Sequence, residues 1–129
     1  MSIFVCDYDH NAPNAEHLKK THLKLYQKIR AAHPDIPFLI LSKPDFNFAL
    51  TSESENKYRR DVIYETYRHA ITSGDKHVYF VDGESMLRGH YEDMCTVDGT
   101  HPNDLGMALM ADAVSETIRR IILQQKMYG

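Results

Sequence analysis

Three short apolar runs constrain the fold of this chain more than any other feature: Ile3–Cys6, Pro37–Leu41 and His77–Val81. Each is nearly continuous in hydrophobicity, which is how a strand covered on both faces of a parallel sheet reads. Between and after them the spacing turns helical. Leu18, Leu25, Ile29 and Ala32 share one stripe between Glu16 and Ala32, and Pro34 closes the segment. Val62, Ile63, Thr66, Tyr67, Ala70 and Ile71 share another between Tyr58 and Ile71, ended by Gly74. From Asn103 onward Met107, Met110, Ala111, Val114, Ile118, Ile121 and Ile122 recur every three or four residues, with Glu116, Arg119 and Arg120 on other faces. The methionines read as core packing. Strand–helix–strand–helix–strand–loop–helix calls for right-handed crossovers and a parallel sheet of the α/β class.

At 129 residues the chain fits one domain, with no room for a second. A hydrophobic share of 43% and a charged share of 26% are the balance of a soluble globular protein. A net charge of −3 and a pI of about 6.2 exclude a general nucleic-acid binder, which needs a basic surface to displace counterions. No apolar run approaches the roughly 20 residues of a transmembrane helix, so neither nucleic acid nor membrane is expected as a partner. The first ten residues lack the basic head and small-residue cleavage site of a signal peptide. The only cysteines, Cys6 and Cys95, suit a reducing compartment. The expected location is the cytoplasm, although a longer parent protein could differ.

In an open α/β sheet, ligands gather where the strands end at their carboxyl termini. The loops expected there after the first and third strands have unusual compositions. The first is Asp7-Tyr-Asp-His-Asn-Ala-Pro13, and the second ends in Thr96-Val-Asp-Gly-Thr-His-Pro-Asn-Asp-Leu-Gly106. Both are expected on the same rim of the sheet. Asp98, three residues before His101 across a glycine turn, can accept a bond from one imidazole nitrogen and leave the other to take a proton. Equally, Asp98 can bond the turn backbone while Asn103 caps the next helix, His101 being incidental. Asn11 carries an amide donor suited to a developing oxyanion.

Asp98-Gly-Thr-His101-Pro-Asn-Asp-Leu-Gly106 resembles the last block of the SGNH (GDSL-type) hydrolases, which carries the catalytic Asp and His as D-x-x-H. Asp7-Tyr-Asp-His-Asn11-Ala-Pro13 resembles that superfamily's third block, usually written G-x-N-D; here Asp9 and Ala12 flank the matching asparagine. Ile40–Phe46 and Asp75–Gly83 are similar to its GDSL-like lipase/acylhydrolase subfamily, and the likeness runs in order through essentially the whole chain. The resemblance implies a three-layer α/β/α, flavodoxin-like sheet of strand order 2-1-3-4-5. It also implies a Ser-His-Asp ester hydrolase acting on a small ester such as an acetylated carbohydrate, with no cofactor. His101 is then the base, Asp98 its orienting acid and Asn11 an oxyanion donor.

On this alignment the chain starts at strand three. No Gly-Asp-Ser block precedes Ile3, so the chain reads as the C-terminal portion of the domain, without its first two strands or nucleophilic serine. Ser42, Ser52, Ser54 and Cys95 are the in-chain hydroxyls and thiol weighed as substitutes. None sits in a nucleophile elbow, and Cys95 reads as a small buried hydrophobe, as does Cys6. Eight histidines contain no H-x-x-x-H pair. His17, His22 and His69 read as solvated or half-buried. Asp7, Asp9 and His10 suit either a loop or a divalent cation, and no metal is assigned. The rival reading is a non-catalytic α/β module whose uncovered first strand edge invites self-association or a partner.

Overall fold

In the computed structural model, residues 2–44, 53–87, 89 and 92–128 are described. Phe46, Ser52 and His90 lie outside them, as does the side chain of Ser54. The elements run β1 (Phe4–Cys6), α1 (Ala15–Ala32), β2 (Phe38–Leu41), α2 (Glu53–Thr72), β3 (Val78–Val81), a short α3 (Gly83–Met86), a 3-10 turn at Glu92–Met94 and α4 (Asp104–Tyr128). Every apolar run became a strand and every amphipathic stretch a helix. All pairings are parallel in the order β1-β2-β3, with Phe4 opposite Phe38 and Phe38 opposite Val78. That order agrees with the last three strands of a 2-1-3-4-5 sheet. Among the described residues no helix is long and apolar enough to cross a membrane.

The chain divides into two units. The first holds the three strands with α1 and α2; the second holds Pro44 and, from Gly83 onward, α3, the 3-10 turn and α4. In the first, Cys6, Phe38, Ile40 and Val78 point to one face of the sheet and pack with Leu18 and Tyr26 of α1 and Ile63 and Ala70 of α2. Central β2 is buried at all four positions. Edge strand β1 is not: Val5, on the face away from that cluster, is 41% exposed.

Three helix faces differ from the expected stripes, and in α1 the reason is polar. In α1 the buried residues are Ala15, Leu18, His22 and Tyr26, while Leu25 and Ile29 are half-buried and Ala32 is exposed. His22 and Tyr26 turn inward because each finds a partner there. His22 Nδ1 lies 2.8 Å from Thr66 Oγ1, and the Tyr26 hydroxyl donates to Asp75 at 2.8 Å. The expectation that His22 is solvated or half-buried was therefore wrong. In α2 the buried set is Arg59, Ile63, Thr66 and Ala70, and Ile71 is exposed. In α4 the buried positions are Gly106, Thr117 and Ile121. Met107 is 56% exposed, so core packing does not describe it.

Candidate active site

In the second unit, the segment before α4 is built around Asn103. Its Oδ1 accepts from Gly106 N at 3.0 Å, capping the helix, and its Nδ2 donates to Met94 O at 2.6 Å. Its backbone N–H donates to Cys95 O at 3.0 Å. Here α4 and the Cys95 backbone come so close that a Cβ on Gly106 would sit 2.2 Å from Cys95 O. Only glycine fits.

Between these anchors the chain folds back on itself. Thr96 pairs with Pro102 in an antiparallel bridge, and Val97 N donates to His101 O at 2.9 Å. Gly99 takes φ +83, the left-handed region that favours glycine, and its N–H donates to Thr96 Oγ1 at 3.0 Å. This turn brings Asp98 and His101 together. Asp98 Oδ1 accepts from Thr100 N at 3.0 Å and His101 N at 2.8 Å, while Oδ2 lies 2.6 Å from His101 Nδ1. The backbone bonds and the imidazole bond expected of the motif thus form together, one set on each carboxylate oxygen.

The electrostatics follow from those bonds. The His101 backbone N–H, the His101 imidazole and the Thr100 N–H together hold the Asp98 carboxyl down at about 2. An ionised carboxylate only accepts, so Nδ1 is the donor of this bond, and in the neutral imidazole Nε2 is then the acceptor. The side chains are 76% and 51% exposed for His101 and Asp98. Such a pair can take up a proton at Nε2 while Asp98 steadies the resulting imidazolium.

Asn11 belongs to the first unit, at the end of β1. It is exposed in a turn from Asp9 to Ala12, closed by Ala12 N donating to Asp9 O at 3.2 Å. Buried Asp9 accepts from Lys43 N at 2.8 Å. Burial raises the Asp9 carboxyl above its ordinary value, against the pull of the Lys43 N–H and the Arg59 charge. Arg59 reaches in from α2 and donates to Asp9 O at 2.8 Å and to Ala12 O at 3.2 and 3.1 Å.

The weighed nucleophiles fare differently. Cys95 is fully buried, and Ser42 at the end of β2 is buried as well. Burial, then the Asp7 charge, pushes the Cys6 thiol up to about 12, which leaves it inert. Among the described residues no three His, Cys, Asp or Glu side chains assemble as metal ligands. Sequence reading missed Arg59 and the contact that demands Gly106. Arg59 had left a trace, since it falls on the stripe of Ile63, Thr66 and Ala70 where an apolar residue is expected.

The GDSL-like Lipase/Acylhydrolase family profile matches residues 1–119. A solved structure from Bacteroides ovatus ATCC 8483, described as a GDSL-like lipase, is similar at 27% identity and TM-score 0.79, covering 94% of this chain and 36% of its own. Salicylyl-acyltransferase SsfX3 from a tetracycline biosynthetic pathway is similar at 16% identity and TM-score 0.66, covering 93% and 38%, a likeness of fold alone. The chain therefore spans little more than a third of the length of these two structures. No curated protein matches it.

Proposed function

Because this chain belongs to the GDSL-like lipase/acylhydrolase family, we propose that it carries the acid–base part of a Ser-His-Asp ester hydrolase. His101 Nε2 accepts the proton of a serine hydroxyl as that oxygen attacks the ester carbonyl. Asp98 fixes the tautomer and stabilises the imidazolium. Asn11 donates toward the tetrahedral oxyanion. The intermediate collapses as His101 returns the proton to the leaving alkoxide, and water then repeats the sequence on the acyl-serine. The serine comes from polypeptide outside the described residues, and the substrate class is a small acyl ester, such as an acetyl group on a carbohydrate.

The observation that carries this reading is the 2.6 Å contact between Asp98 Oδ2 and His101 Nδ1, made while Oδ1 is occupied by two backbone amides. The test is hydrolysis of p-nitrophenyl acetate by the complete protein. His101→Ala is expected to lower kcat by on the order of 10³-fold or more. Hydrolysis that survives this change overturns the assignment.

A second reading draws on β1, whose outer edge is unpaired among the described residues and whose Val5 is exposed. As a non-catalytic module the chain self-associates along that edge. Light scattering on a size-exclusion column distinguishes it, since a monomer at high concentration rules out the edge contact.

A further inference from the structure

The turn that carries Asn11 is held from outside by a charged group that no backbone geometry requires. Arg59 lies almost wholly buried on α2, and its guanidinium makes three hydrogen bonds to the two carbonyls, Asp9 O and Ala12 O, that bracket His10 and Asn11. Its Nε donates to Glu55 Oε1 at 3.2 Å, and the same oxygen accepts from Ala15 N, the first residue of α1, at 3.1 Å. Nη1 lies 3.7 Å from Asp9 Oδ1, a buried oxygen with no hydrogen-bond partner among the described residues. Asp9 Oδ2 meanwhile ties the turn to Lys43 N beyond β2. One four-residue turn is thus fixed to α1, α2 and the end of β2.

This arrangement is a poor way to stabilise a fold. A buried arginine and carboxylate lose their hydration, and one carboxylate oxygen regains only a long ion-pair contact in place of hydrogen bonds; a packed apolar pair of similar volume does as well or better. What the fork supplies is direction. A planar guanidinium that bonds two carbonyls together fixes their separation, which an ammonium on a flexible stem cannot do. The residues between those carbonyls present two polar side chains outward, and one of them is the amide assigned to the oxyanion. A donor for an oxyanion is useful only when it is already aimed.

We infer that Arg59 is a positioning residue for Asn11, acting through the Asp9–Ala12 backbone with Glu55 and Asp9 as its supports. This rests on the reading of Asn11 as an oxyanion donor, yet its test requires no turnover.

The test is hydrogen exchange and side-chain NMR on the intact protein carrying Arg59→Lys, which keeps the charge and loses the fork. The expected result is selective. Exchange at the Ala12 and Lys43 amides accelerates by about tenfold or more, and the Asn11 Nδ2 resonances lose dispersion, while β2 and β3 amides keep their protection. A purely structural role for Arg59 predicts instead an even loss across the first unit, or none, and either outcome overturns the inference. Should Arg59→Lys fail to fold, Glu55→Ala decides the matter from a half-exposed position. Selective loosening of the Ala12 amide supports the clamp, and an unchanged turn overturns it. Activity of Asn11→Ala reports separately: esterase turnover indifferent to that change sinks the functional reading while leaving the clamp result untouched.

Discussion

Gly106→Ala is a one-methyl perturbation aimed at the contact that sets the dyad loop against α4. The added Cβ falls 2.2 Å from Cys95 O, 3.2 Å from Cys95 C and 3.1 Å from Pro102 Cβ. Relief requires a separation of about 1 Å between the first turn of α4 and the Cys95 backbone, because ordinary carbon–oxygen contact lies near 3.2 Å or beyond. The same interface holds Asn103 N to Cys95 O at 3.0 Å and Asn103 Nδ2 to Met94 O at 2.6 Å. A displacement of that size carries both bonds out of, or to the limit of, hydrogen-bonding range. Two lost hydrogen bonds cost about 2 kcal/mol, overpacking adds about 1–3 kcal/mol, and the better helix propensity of alanine returns about 1 kcal/mol. The net is a local destabilisation of about 2–4 kcal/mol. Hydrogen exchange reads this directly, as an Asn103 amide that exchanges about 10²-fold faster while the β2 amides are unchanged. An Asn103 amide with unaltered protection in a folded Gly106→Ala protein would refute the claim that this close approach positions the loop.

Asp98→Asn retains an oxygen for the Thr100 and His101 amides but can turn an NH2 toward Nδ1, so His101 adopts the wrong tautomer. A fall in kcat of about 10⁴ is expected, with nitrogen NMR of the imidazole showing the tautomer change. Because Asp98 ionises at about 2, the acid limb of a pH–rate profile should carry no step from it above pH 4, and a step there that vanishes in Asp98→Asn contradicts this. Burial lowers His22 from 6.5 to about 4, so below pH 6.5 the unfolded chain binds a proton that the folded one refuses. Stability is then complete above about pH 6.5 and falls by about 3 kcal/mol as the pH drops toward 4. Urea titrations of wild type and His22→Gln at pH 7 and 4.5 check this, with the variant expected to show the shallower loss and identical slopes counting against it. Both cysteines are buried, so a thiol reagent should label neither at native pH without urea; rapid labelling of either contradicts their placement.

Local signals were legible and distant ones were not. The strands could be read because an apolar run of four or five residues has few other uses between amphipathic helices. Asp98 and His101 could be read because their bond closes within three residues, around a glycine that supplies the left-handed turn. His22 shows the limit. Counting apolar residues placed the face of α1 on Leu18, Leu25, Ile29 and Ala32, whereas the helix keeps Leu18 inside but rotates to bury a histidine whose partner, Thr66, is 44 residues away. Met107 failed in the opposite sense, since a methionine at helical spacing looks the same whether or not anything packs on it. Arg59 sat in view on an apolar stripe, but its acceptors are carbonyls about 50 residues away, and a carbonyl has no letter in a sequence.

Order of elements, parallel pairing, and the internal geometry of the acid–imidazole turn were set by the sequence alone, because periodicity and short-range hydrogen bonding determine each of them. Tertiary structure decided which helix faces are buried, why residue 106 has no side chain, and how the Asn11 turn is held. Those depend on close approaches between segments remote along the chain, where burial makes an unmet polar group or one surplus methyl costly enough to dictate the outcome.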